Sequence, residues 1–220
     1  MSERTGPLGE HSQITGPALA LIEIGDVPAG LKALDALAKE APVVVLGAGT
    51  LQGGHWLLSF AGEVDPVELG FARAMERAGA AVVDSVLLPY AEPRLLPALR
   101  DGTVYFPTVS HEGGHPHPLG DALGVVQTGS PPTLLRAIDA ALKGATVELV
   151  ELRIAEGLGG RALAMLWGNQ SDVEAAIELA TGAFSRGRRE GCTTAVIANA
   201  DPEVGRALRS GSRFFKEFRG

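Results

Sequence analysis

The chain repeats itself. Laid over itself with an offset of 104 residues, Ala18-Leu-Ala-Leu-Ile-Glu-Ile-Gly25 falls on Ala122-Leu-Gly-Val-Val-Gln-Thr-Gly129. With the same offset Ala33-Leu-Asp-Ala36 meets Ala137-Ile-Asp-Ala140, Lys39 meets Lys143 and Ala41 meets Ala145. An offset of 106 carries the match forward, with Gly53-Gly54 on Gly159-Gly160, Gly62 on Gly168 and Val67-Glu68 on Val173-Glu174. At 109, Ala91-Glu-Pro93 meets Ala200-Asp-Pro202 and Ala98-Leu99 meets Ala207-Leu208. Ordered matches along a whole unit indicate a tandem duplication, so the chain must fold as two similar bodies. The units are expected at 17–100 and 121–209, with a linker over 101–120 and a tail over 210–220.

Each unit reads as strand, helix, strand, strand, helix, strand, helix. The run 18–25 is apolar and ends in glycine, as a buried strand does. Asp26 caps a helix with Pro28 in its first turn, and Leu31, Leu34, Leu37 and Ala41 form its expected apolar stripe. Val43 to Leu46 and Trp56 to Ala61 are two strands joined by a glycine-rich loop. Asp65-Pro66 opens a second helix, with Glu68 completing a capping box that Ser171 and Glu174 repeat in the second unit. Val82 to Leu88 is a further strand, and Pro93 to Leu99 a short helix. The expected class is α/β (α+β), helices on a mixed sheet. Between the units a short strand is expected at Thr103 to Phe106.

Composition narrows the function. An apolar share of 45% supports a core and excludes disorder for most of the chain. A net charge of −7 argues against a nucleic-acid platform. No run reaches the roughly 18 apolar residues of a membrane span, and the N-terminus lacks the basic-then-apolar order of an export signal. The lone cysteine, Cys192, excludes a disulfide framework and a multi-cysteine metal site within one chain. A cytoplasmic protein without nucleic-acid or membrane partners is expected.

Few motifs carry chemistry. Val43-Val-Val-Leu-Gly47-Ala-Gly49 imitates a dinucleotide-binding loop, but that loop needs a helix N-terminus after it. His55-Trp-Leu-Leu-Ser-Phe60 reads instead as a strand, and Gly47 and Gly49 become Glu151 and Arg153 in the second unit. His111, His115 and His117, with Glu112, could in principle ligate Zn²⁺ or Ni²⁺, but a solvated Gly-rich linker is the better reading. Ser110 beside His111 and Cys192 in a loop make no convincing nucleophile pair. Asp35/Lys39 and Asp139/Lys143 are helical i, i+4 pairs worth about 0.2–0.5 kcal/mol each. No catalytic residue, metal or cofactor is expected.

Taken together, Ala18-Leu-Ala-Leu-Ile-Glu, Ala33-Leu-Asp-Ala-Leu-Ala-Lys39, Gly62-Glu-Val-Asp-Pro-Val-Glu68 and Leu88-Pro-Tyr-Ala-Glu-Pro93 resemble a bacterial microcompartment shell domain. Ala122 to Val126, Asp139 to Val150, Gly157-Leu-Gly-Gly160 and Ser171 to Ala176 resemble it again, so the likeness covers about 170 of the 220 residues. The chain is thus similar to tandem-domain shell proteins, whose chains form a homotrimeric, pseudohexameric tile. That resemblance implies a structural protein, not an enzyme, tiled with other shell hexamers and pentamers and perforated by a pore for small polar metabolites. It places Leu51, Gln52, Gly53, Gly54 and His55, with Ala155, Glu156, Gly157, Leu158, Gly159 and Gly160, at the pore. It also places Lys39 and Lys143 at the assembling edge. One branch of the family holds an iron–sulfur cluster through a pore-loop cysteine, where this chain has Gln52. The family's edge arginine is absent, with Tyr90 and Asn199 near its place. A trimeric regulatory module that binds a small molecule is the alternative reading.

Overall fold

The computed structural model describes residues 16–100, 120–154, 157–184 and 191–209. The first unit contains β1 (Ala18–Ile24), α1 (Val27–Glu40), β2 (Val44–Thr50), β3 (Trp56–Gly62), α2 (Val64–Ala78), β4 (Val82–Leu88) and α3 (Leu95–Arg100). The second contains β5 (Ala122–Thr128), α4 (Pro131–Gly144), β6 (Glu148–Arg153), β7 (Ala162–Gly168), α5 (Gln170–Ala183), β8 (Thr193–Ile197) and α6 (Pro202–Arg209). The sheets have orders β2-β3-β1-β4 and β6-β7-β5-β8. The expected class is found, with helices on sheets in two like units. The sheets themselves are not mixed, because every paired strand runs antiparallel. A helical crossover from β1 to β2 skips one place, and β3 fills the gap in the opposite direction, which makes a split βαβ arrangement. The strand expected at Thr103 to Phe106 lies outside the described residues.

The first helix of each unit starts as its sequence dictates. Asp26 accepts a hydrogen bond from the Ala29 amide at 2.8 Å, and Ser130 accepts one from the Thr133 amide at 3.3 Å. Either side chain satisfies a backbone donor that the helix leaves unpaired. The second helices differ from expectation. α2 begins at Val64 and α5 at Gln170, neither with a side-chain cap, so the expected capping boxes do not form. Asp65 and Ser171 therefore lie inside the first turn, too far in to cap it. Asp65 and Asp172 still place negative charge at the positive ends of these helices.

The apolar stripe of α1 also needs correction. Gly30, Ala33, Ala36 and Leu37 are its buried residues, while Leu31 is 50% exposed. Ala18, Ala20, Ile22 and Ile24 on one face of β1 pack with Ala33, Leu37, Val67 and Ala74 of the unit's own helices. Leu31 stands apart from that core, and Leu34 is only partly buried at its margin. Their counterparts in α4, Leu135 and Ile138, are fully buried, in one cluster with Leu19 and Leu21 from the other face of the first sheet. One helix stripe thus serves two surfaces.

The duplicated cores have diverged by compensating exchanges of volume. A Cβ at Gly30 would lie 2.2 Å from the Trp56 ring, so glycine makes room for the indole. At the corresponding places the second unit has Leu134 over Ala162. Gly144 seats Leu179 at 2.5 Å from such a Cβ, where the first unit has Glu40 and Arg73 in a 3.0 Å ion pair. Hydrogen bonding to Glu76, and then the charge of Glu40, raise the Arg73 pKa. Close-packed interiors tolerate change best when total volume is kept. Gly30→Leu alone should therefore destabilise the protein by about 1–3 kcal/mol through overpacking, and Trp56→Ala alone by about 3–5 kcal/mol through a cavity. The double variant should cost less than the sum by at least about 1 kcal/mol, as measured by urea unfolding.

Candidate functional site

Two regions join the units, and both arise where the sheets end. The first is a pair of loops. Leu51 to His55 turns β2 into β3, closed by hydrogen bonds from the Leu51 amide to the His55 carbonyl at 2.8 Å and from the Gly54 amide to the Leu51 carbonyl at 3.3 Å. Gly53 and Gly54 have φ of +90° and +82°, a region that disfavours side chains, and both face open space. Leu51 is buried as the loop's anchor, while Gln52, Gly53 and Gly54 are exposed. His55 is held from beneath: its Nδ1 lies 2.7 Å from Oε1 of the buried Glu23 on β1.

The matching loop of the second unit contains Gly157, Leu158, Gly159 and Gly160, closed by the Arg161 amide donating to the Leu158 carbonyl at 3.2 Å. Ala155 and Glu156 lie outside the described residues. The two loops touch. The Gly159 amide donates to Gln52 Oε1 at 2.6 Å, across 107 residues of sequence. The described members of the loop set expected from sequence are therefore brought together. Beneath them the repeats differ, because Glu23 and His55 correspond to Gln127 and Arg161.

The second region is a seam along which α4 of the second unit lies against β4 and the following turn of the first. Asp84 on β4 is its polar centre. Its Oδ2 accepts hydrogen bonds from Ser130 Oγ and from Thr133 Oγ1, the latter at 2.7 Å. Arg136 Nη2 donates to the Ser85 carbonyl at 2.7 Å. The Glu92 amide donates to Asp139 Oδ1 at 2.8 Å. Arg94 spans the lower end, donating to the Val147 and Leu142 carbonyls at 2.7 and 3.1 Å, beside Glu92 and Glu148. Lys143 binds Asp139 at 2.7 Å and also donates to the Tyr90 carbonyl of the first unit, so it lies at this seam. Lys39 binds Asp35 at 2.7 Å, with both side chains well exposed. Leu135, Ile138, Leu19, Leu21, Val86 and Leu88 supply the seam's apolar layer.

Other expectations from sequence can be placed more briefly. Gly47 and Gly49 lie within β2, and a strand follows the loop, so no helix N-terminus faces these glycines. Among the described residues no three His, Cys, Asp or Glu side chains are grouped to hold a metal. Ser110, His111, Glu112, His115 and His117 lie outside the described residues. Cys192 is partly buried at the foot of β8. Among the described residues no helix is long and apolar enough to cross a membrane. Sequence reading missed Asp84, Arg94, Ser130 and Arg136 as a functional group. Their signal was present in the places where the repeats disagree: Asp84 against Thr193, Arg94 against Glu203.

Residues 18–91 and 122–200 each match the BMC domain. The chain belongs to the bacterial microcompartment shell protein family. It is 31% identical over 164 residues to the bacterial microcompartment shell protein PduT of Citrobacter freundii, covering 74% of this chain and 83% of that protein. It is 26% identical over 175 residues to the carboxysome assembly protein CcmO of a Synechocystis species, covering 78% of this chain and 58% of that one. In three dimensions it resembles a microcompartment protein from Desulfitobacterium hafniense, with a TM-score of 0.69 and 28% identity over 86% of this chain and 98% of that one. A fused permuted hexameric shell protein of the RMM microcompartment shares the fold, with a TM-score of 0.50 and 21% identity over 75% of this chain and 80% of that one. The family is one of structural shell proteins rather than enzymes.

Arg94 is a seam side chain that ties two carbonyls of the second unit to the first. Arg94→Ala should lower stability by about 1.5–3 kcal/mol, the range for hydrogen bonds to a charged group. Arg94→Lys should recover less than half of that loss, because a single ammonium does not reproduce the planar fork. Thermal and urea unfolding would check both.

Proposed function

We propose that this protein is a structural tile of a bacterial microcompartment shell, a homotrimer whose six domains form a pseudohexameric ring. One observation carries the reading: each half of the internal seam has a counterpart that stands uncovered by the described residues of a single chain. β8, equivalent to β4, is exposed at every residue, and Ile197 and Val196 are 39% and 36% exposed. α1, equivalent to α4, leaves Leu31 half-exposed, where Leu135 is fully buried. The sheet face that α4 covers in the first unit is Leu123, Val125, Met165 and Trp167 in the second, where, among the described residues, α6 rests on part of it. Docking α1 of one chain on β8 of the next repeats the seam. A heterologous contact of this kind closes into a ring or runs on as a filament. Three chains with two near-equivalent units each supply the six positions of the pseudohexamer that the family likeness implies.

In that ring the domains at 17–100 and 121–209 alternate, and the paired loops converge on the axis. Leu51 to His55 and Gly157 to Gly160 then surround the opening, with exposed glycine backbone and the Gln52 amide available to small polar metabolites. Lys39, well exposed beside Asp35, and Lys143, half-exposed beside Tyr90, serve the tile's outer edge, where other shell hexamers and pentamers adjoin in the cytoplasm.

Native mass spectrometry at micromolar concentration should give a particle of three 22.8 kDa chains; a stable monomer would exclude the tile. Lys39→Ala combined with Lys143→Ala should abolish extended sheets in electron micrographs while leaving the trimer intact. Unchanged sheets would restrict the lysines to the helix surface.

A further inference from the structure

We infer that the joint between chains is written in the opposite polarity to the joint within a chain, so that it favours the second unit of one copy against the first unit of another. The inference rests on the ring proposed above and adds the rule that orders its members. Within the chain, a carboxylate on the strand, Asp84, receives hydroxyls from the helix start, Ser130 and Thr133. Strand pairing locates the counterparts without ambiguity: Glu23 stands opposite Asp84, and Gln127, its equivalent, stands opposite Thr193. Ser130 and Asp26 are the N-caps of the two first helices. At the open joint the hydroxyl is therefore on the strand, as Thr193, and the carboxylate is on the helix cap, as Asp26. Donor and acceptor have traded places, and both are exposed in the single chain.

The exchange keeps a hydroxyl-to-carboxylate bond at both kinds of joint and disfavours the other two pairings, one by repulsion and one by loss of the charge-assisted bond. First unit against first unit would bring Asp84 to Asp26, two carboxylates at one site, and like charges across an interface are costly. Second unit against second unit would set Thr193 against Ser130 and Thr133, hydroxyls with no carboxylate to receive them. Arg94 reinforces the rule. Its neighbour Glu148 corresponds to Val44 in the first unit, and Arg94 itself corresponds to Glu203, which is bound to Arg206 within α6. The ion pair Arg94–Glu148 can thus form only at the internal joint. The rest of the pattern is common to both: Lys32 replaces Arg136, facing the Thr194 carbonyl in place of that of Ser85, and Asp35 replaces Asp139, facing the Asp201 amide in place of that of Glu92. A shallow groove of about 290 Å³ lined by Lys32, Asp35, Ala36, Lys39, Glu40 and Arg77 marks the uncovered side of that contact.

The test is a polarity swap in the full chain, read by sedimentation velocity and native mass spectrometry over a dilution series. Thr193→Asp should set a second carboxylate against Asp26 and weaken the trimer at least about tenfold, less so at high salt, since screening relieves like-charge repulsion. Asp26→Ser keeps the helix cap, as Ser130 does in the second unit, and should weaken the trimer several-fold. The double variant, Asp26→Ser with Thr193→Asp, rebuilds the Ser130–Asp84 arrangement between chains and should return the trimer to within about threefold of the parent. Both positions are exposed in the monomer, and far-ultraviolet circular dichroism of each variant checks that it folds. A Thr193→Asp trimer as tight as the parent, or a double variant no tighter than the weaker single one, would overturn the inference while the trimer itself stands. A parent chain that stays monomeric overturns the ring and its joint together.

Discussion

The structure depends on a sheet with two apolar faces, one covered by the two long helices of its own unit and the other only in part by that unit's short last helix. In the first unit Ala20 and Ile22 face the unit's own α1 and α2, while Leu19 and Leu21 face outward. Exposed, that second face would be a contiguous apolar patch of the kind that soluble monomers avoid. α4 covers it, and the second unit is thereby fixed against the first. The cover is supplied by the other unit rather than by a loop, and on the equivalent face of the second unit's sheet, among the described residues, only α6 comes to rest. Among the described residues β8 likewise lies open, exposed at every position. A fold that buries one face through its neighbour is a fold that assembles.

Duplication lets such a chain vary its joints separately. Once the two units are joined covalently, a change in one need not appear in the other. The interior used that freedom in balanced pairs, with Gly30 and Trp56 in one unit and Leu134 and Ala162 in the other. The seam used it to change chemistry, with Asp84 answered by Thr193 and Ser130 by Asp26. Core exchanges keep volume because packing density is nearly fixed. Seam exchanges keep hydrogen-bond complementarity because a buried, unmatched carboxylate or hydroxyl is costly.

Much of this was legible in the residues. The repeat marked the two units, alternation of apolar and glycine-rich runs marked the strands, and Asp26 before Val27-Pro28 marked the first helix. The family likeness pointed to the loops that meet through Gln52 and Gly159. Three features were misread for physical reasons. The stripe Leu31, Leu34, Leu37, Ala41 has the right period, but period alone does not say whether a leucine faces its own sheet or a neighbour's. The acid–Pro and Ser–Glu signals at 65–68 and 171–174 sit a residue inside their helices, because each helix begins where the preceding strand releases the chain. Strand direction was missed because a helical crossover that skips one place leaves room for an antiparallel partner, and nothing local to β1 or β2 records that gap.

The sequence by itself determined the duplication, the order of elements, the charge class and the family, because these depend on local pattern and on the likeness between the two halves. Only the tertiary structure decided which leucines belong to the seam, that Lys143 reaches the Tyr90 carbonyl while Lys39 remains outside, and that Asp84 meets Ser130 and Thr133. Those contacts join residues 46 to 53 positions apart, on opposite sides of a joint between two bodies. A spacing that long carries no local signature. It acquires meaning only when one unit's helix comes to rest on the other unit's sheet.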